Sequence, residues 1–98
     1  MGTTKKEILQ KLKAIKPLLQ EKYNLTEQAL FGSYARDEQH MESDIDIMVK
    51  LSTHSFRNFC DTAYTLEDLF PGIKVQIVSR GGIRPQYFER LKDDLIYA

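Results

Sequence analysis

Residues 44–51, DIDIMVKL, set Ile45, Ile47 and Val49 against Asp44, Asp46 and Met48. A period of two marks a β-strand, whose successive side chains point to opposite faces. No other run constrains the chain as much, because it puts two carboxylates on one face of an apolar strand. Strand geometry leaves their side chains only about 5–7 Å apart. Like charges that close repel each other, and burial makes the repulsion worse. Either both aspartates face solvent, or a bound divalent cation removes the conflict. Hard cations such as Mg²⁺ take carboxylate oxygens and complete their shell with substrate phosphates and water. Strand propensity disfavours Asp, which makes the pair more telling.

The residues upstream supply a possible anion site. Gly32 lets the backbone turn tightly and approach a ligand. A short helix starting at Ser33 would offer free N–H groups to a phosphate, and Ser33 adds a hydroxyl. Arg36 can fold over the same place. Singly, Gly-Ser is a turn and an Arg is a solvated side chain. Together with Asp44 and Asp46 they make a phosphate cradle and a metal clamp on adjacent strands.

The remaining pattern is that of one small α/β domain over residues 1–98. In residues 4–23 the stripe Ile8, Leu12, Ile15, Leu19 and Tyr23 predicts a helix, kinked at Pro17 and stopped at Asn24. Residues 29–31 read as a buried strand. Phe56, Phe59, Ala63, Leu66 and Phe70 predict a second helix capped by Ser55 and ended by Pro71-Gly72. Residues 73–79 are a third strand, with Ile73, Val75 and Ile77 on one face. Pro85 opens a last helix with Tyr87, Phe88, Leu91 and Leu95 on its apolar side. The expected fold is a small mixed sheet with helices mainly on one face.

Composition excludes several classes. Fourteen basic and fourteen acidic residues cancel, which argues against a non-specific grip on nucleic acid. The single Cys60 cannot form an intrachain disulfide and is expected in the core. The first residues hold no long apolar run, so neither a signal peptide nor a membrane span is expected, and a reducing cytoplasm is the default. His40 reads as a solvated loop residue and His54 as part of the turn before the second helix. Arg80 and Arg84 flank Gly81-Gly82, where they can stay on the surface or reach a phosphate or a partner protein.

The stretch GSYARDEQHMESDIDIMV resembles the signature of the polymerase β-like nucleotidyltransferase superfamily, in its minimal branch. The likeness extends from the first helix to the closing LIYA. It implies a palm-like domain that binds a nucleoside triphosphate, ATP, with Mg²⁺ or Mn²⁺. Gly32 and Ser33 would hold the triphosphate, Arg36 would support it, and Asp44 and Asp46 would ligate the metals. It also implies a HEPN-domain protein as partner, with this chain as antitoxin transferring AMP to a tyrosine of that protein. No template-holding domain fits in 98 residues, so no nucleic-acid template is expected. A sheet covered mainly on one side also leaves room for a homodimer.

Two positions depart from the family pattern. Asp37 stands where a glycine usually follows the Arg, in a left-handed position that Asp tolerates less well. Gln76 stands in the strand slot of the third carboxylate, which in the family serves as general base. A glutamine amide cannot take a proton at neutral pH and carries no charge. Either the site binds Mg-nucleotide but transfers slowly or not at all, or a partner, the substrate itself or a nearby residue such as Glu67 supplies the base. Gln76 also reads as a simple outward polar residue on the strand. The alternative function is a contact-only module that neutralises a HEPN partner. A free-standing transferase acting on a small molecule is a third, weaker option, since no acceptor pocket is visible in the chain.

Overall fold

The computed structural model describes residues 3–53 and 55–98. The reading of His54 lies outside them. Helix α1 (Lys5–Tyr23) is capped by Thr4, whose hydroxyl accepts from the Glu7 N–H at 3.2 Å. It runs unbroken through Pro17, whose ring lies on the solvent side. Asn24 closes it in the left-handed region at φ 62°, as expected, and its N–H donates to the Leu19 carbonyl.

Strands β1 (Leu25–Phe31) and β2 (Ile45–Leu51) follow. Next come helix α2 (Phe56–Asp68), strand β3 (Val75–Ser79), helix α3 (Pro85–Leu91) and the short strand β4 (Ile96–Tyr97). The sheet order is β3-β2-β1-β4. β1 runs antiparallel to both neighbours, whereas β2 and β3 are parallel. A parallel pair needs a crossover, and α2 provides it.

The sheet is covered unequally. Ile45, Ile47 and Val49 turn to α1 and α2, where they pack with Ile8, Leu12, Leu19, Leu66 and Phe70. The opposite face has a smaller cluster, in which Ala29, Phe31 and Met48 meet Leu91 of α3. Two helices on one face and one on the other match the expected architecture.

Several local expectations change. β1 starts at Leu25, earlier than predicted, because Gln28 is buried and ties the sheet to α1 through Nε2 donating to the Leu12 carbonyl at 2.7 Å. β3 starts at Val75, leaving Ile73 outside it. The last helix ends at Leu91, and Leu95 lies beyond a 3₁₀ turn that feeds β4. Phe56 is 78 % exposed instead of joining the buried stripe. It is the first residue of α2, before the helix reaches the sheet. Cys60 is half-buried instead of enclosed in the core.

Candidate nucleotidyl-transfer site

The two aspartates stand where three strands meet. Ile45 and Ile47 face the main core, so Asp44 and Asp46 lie on the other side, toward α3. Register places Asp46 opposite Phe31 of β1 and Gln76 of β3. Gly32, one residue past Phe31, therefore sits directly against the Asp46 carboxylate. A Cβ at Gly32 would collide with Asp46 Oδ2 and lie 3.1 Å from its Cγ. Gly32 also has φ +78°, a conformation that favours glycine. Both facts demand glycine at this position.

The loop after Gly32 is pinned from below. Tyr34 and Ala35 are buried in the main core. Their burial leaves Ser33 and Arg36 at the surface side of the sheet's end. The expected short helix at Ser33 is absent. Residues 33–37 form a turn, closed by Glu38 N–H donating to the Ser33 carbonyl at 2.8 Å and Arg36 N–H to the Gly32 carbonyl at 3.2 Å. The reason is Asp37, which takes the left-handed conformation at φ 58° and stops any helical continuation. Lys5 holds the Asp37 carboxylate at 2.8 Å.

Arg36 is already engaged. Its Nε meets Glu38 at 2.9 Å and its Nη1 meets Asp94 at 2.9 Å. These two carboxylates raise its pKa further above the ordinary value. The Asp46 carboxyl is also raised, first by burial and then by the Asp44 charge, with Arg36 opposing. Gln76 answers part of the repulsion by donating from Nε2 to Asp44 Oδ2 at 3.0 Å. Gln76 is thus turned into the site and is not an idle outward residue. Glu67 does not line the cleft, so it offers no base there.

These groups line an open cleft of about 520 Å³, which collects Gly32, Ser33, Arg36, Asp46 and Gln76. Asp44 joins it through Gln76. The far wall comes from α3 and the turn behind it: Tyr87, Arg90 and Asp94. Sequence reasoning missed this wall. Its only signal was the three-residue spacing of Tyr87 and Arg90, which puts both on one side of a helix. His40 stays exposed, with Nδ1 accepting from the Glu42 N–H at 3.2 Å. Arg80 lies half-exposed over the Phe88 ring at 3.7 Å.

A hard divalent cation fits this donor set. Asp44 and Asp46 offer two carboxylates on one face, and their mutual repulsion is the field such an ion would neutralise. The Gln76 Oε1 is a neutral oxygen beside them. Among the described residues there is no group of three or more His, Cys, Asp or Glu side chains able to hold a metal. Asp44 and Asp46 are the two residues that would hold such an ion.

Comparison with known proteins identifies the family and its fold. Residues 13–91 match the family model "Polymerase beta, Nucleotidyltransferase". A Methanocaldococcus jannaschii protein named "Putative protein adenylyltransferase" is 45 % identical over 94 residues, covering 94 % of this chain and 92 % of that one. A second relative from that organism, with the same descriptive name, is 42 % identical over 95 residues, covering 94 % and 92 %. Thermococcus cleftensis has "Protein adenylyltransferase MntA", 30 % identical over 95 residues and covering 96 % and 95 %. A solved chain titled "Structure of putative minimal nucleotidyltransferase" superposes with TM-score 0.79 at 25 % identity, over 96 % of this chain and 95 % of that one. The chain belongs to the polymerase β nucleotidyltransferase family, a family of transferases, and has the fold of its minimal members.

Proposed function

We propose that the cleft binds ATP and that the protein transfers AMP to a hydroxyl group of another protein, a tyrosine of a HEPN-domain partner that it thereby neutralises. The observation that carries this reading is the packing of Asp46 under Gly32, with Gln76 clamping Asp44 from the third strand. That packing sets a two-carboxylate clamp next to a glycine turn, which is what a triphosphate tail requires. The names of the relatives support a protein acceptor.

In the reaction the acceptor oxygen attacks the α-phosphorus, the bond to pyrophosphate breaks, pyrophosphate leaves, and the hydroxyl proton passes to water. Mg²⁺, when bound by Asp44 and Asp46, would supply charge neutralisation for the phosphates and the leaving pyrophosphate. Gly32 lets the backbone come close to the triphosphate, and Ser33 offers it a hydroxyl. Arg36 and Arg90 place positive charge at the cleft wall. Gln76 orients Asp44 but takes no proton, so the general-base contribution of about 10²–10⁴-fold is missing. Transfer is therefore slow unless the acceptor protein or the substrate brings its own base.

Gln76 also favours a second reading, in which the chain neutralises its partner by contact alone. One experiment separates the two. The protein is incubated with α-labelled ATP, Mg²⁺ and the partner. Label on the partner that disappears in Asp46→Asn supports transfer. Neutralisation that survives Asp44→Asn and Asp46→Asn without any label supports contact. Gln76→Asp should raise transfer by roughly 10²-fold, through the restored base. No gain would show that the missing carboxylate does not limit the rate.

A further inference from the structure

A concavity of about 710 Å³ lies not over the acids but at the end of β3, where Ser79 and Arg80 meet Lys50, Leu51, Phe56 and Phe59. The one beside it runs back along Ile77, Val78 and Ser79 of β3. β3 is an edge strand, with β2 on one side only. The Lys74 carbonyl accepts from the Ile45 N–H at 2.9 Å. Strand alternation therefore turns the backbone groups of Gln76 and Val78 toward β2, and leaves those of Val75 and Ile77 on the outer edge. Such a row of unpaired donors and acceptors is a template for another strand.

Side chains continue the template. The concavity runs over Phe56, Phe59 and Arg80, and a second of about 510 Å³ follows over Ile83, Arg84 and Tyr87. Phe59 lines both, and Tyr87 lines the second as well as the cleft holding Asp46. The trough thus opens into the site at the β3 end, opposite the Gly32 cradle at the β1 end. Its floor is apolar and its exposed rings are large: Phe56 is 78 % and Tyr87 is 53 % exposed. Its charged residues are Lys50, Arg80 and Arg84, and no carboxylate stands among its described lining residues. This one-sign rim occurs in a chain whose net charge is zero.

We infer that the β3 edge docks an extended acidic segment of the protein acceptor, which pairs as a strand beside β3 and leads a hydroxyl side chain past Tyr87 to Asp46. The inference rests on the transfer reading above and gives it a substrate-binding surface. Main-chain hydrogen bonds to Val75 and Ile77 provide affinity, and the apolar floor and cationic rim provide selection. A second copy of this chain suits the trough less well, because edge-to-edge pairing would bring two cationic rims together.

The test uses a short synthetic peptide alternating valine and glutamate around one tyrosine, and a control with lysine for glutamate. Binding is mapped by NMR on the full chain. The acidic peptide should shift the Val75 and Ile77 amides and slow their hydrogen exchange, and the lysine peptide should not. Arg84→Glu should weaken the acidic peptide roughly tenfold. Unchanged exchange at Leu30 and Ile47 would show that the fold is intact. Equal binding of both peptides, shifts away from β3, or protection of Val75 that grows with protein concentration alone would overturn the inference. The last result would assign the edge to a second copy. If partner labelling stays Asp46-dependent and insensitive to Arg84→Glu, docking fails and transfer stands. If the acidic peptide docks on β3 but no nucleotide binds, transfer fails instead.

Discussion

The two faces of the sheet do different work. On the α1/α2 face, Ile45, Ile47 and Val49 are fully buried against Ile8, Leu12, Leu19 and Leu66. None of these core residues is charged, and the gain is apolar area removed from water, about 25 cal/mol per Å². On the α3 face the alternate residues of the same β2 strand are Asp46 and Met48. Met48 is covered by Leu91, while Asp46 is half-buried beside Asp44 with its ionised form disfavoured. One strand thus stabilises the molecule with its odd-numbered residues and stores electrostatic tension with an even-numbered one. The other face carries a milder compromise, the buried Gln28 amide, whose Nε2 reaches the Leu12 carbonyl while its Oε1 has no partner among the described residues.

Substitutions on each face should break this contrast in different directions. Leu12→Ala, in the apolar core, should cost about 2–5 kcal/mol in urea unfolding, enough to threaten the whole domain. Gly32→Ala should cost less, about 1–3 kcal/mol, from the positive φ and the collision with Asp46. Its larger effect should be loss of magnesium-dependent ATP binding in calorimetry; ATP affinity equal to that of the unmodified chain would remove Gly32 from the cradle. Asp46→Asn should act in the opposite sense, stabilising the metal-free protein at neutral pH by less than about 1 kcal/mol, because the carboxyl is partly solvated. An acid raised above its ordinary value of 3.8 binds its proton more tightly folded than unfolded. Its contribution is therefore fullest below 3.8 and is lost as pH rises through the raised value. Thermal melts of the Asn variant should lack the gain in stability that Asp46 gives the parent as pH falls through the raised value, with transfer abolished. A variant less stable than the parent would mean that Asp46 is held by a partner and not strained.

Much of this was legible in the sequence, for physical reasons. The period of two in residues 45–49 and the four-three stripe of α1 are direct images of which side chains leave water. Asn24 and Ser55 announced caps that the backbone then used, whereas the Thr4 cap emerged only from the structure. The two aspartates and Gly32 were recognisable because few folds tolerate them in such a run. What stayed hidden depends on contacts distant along the chain. The Arg36–Asp94 pair joins residues 58 positions apart, and no spacing rule reports it. Strand β4 has two residues, too few to show a period. Gln28 disguised the start of β1, since a buried amide looks polar in sequence. Phe56 misled in the other direction, because an aromatic at helical spacing reads as core whether or not the helix end reaches the sheet.

The parallel pairing of β2 with β3 has a consequence for how the molecule comes together. A β1–β2 hairpin can close locally, and it brings Gly32 to Asp46. Gln76 reaches Asp46 by parallel pairing of β3 with β2, which needs the whole α2 crossover to fold back. Closing such a loop is slow relative to forming a hairpin. Half-assembled chains would therefore hold two facing acids with no amide to steady them, and only the finished topology presents a grip for a nucleotide. Ligand-induced protection against unfolding should accordingly report complete chains alone.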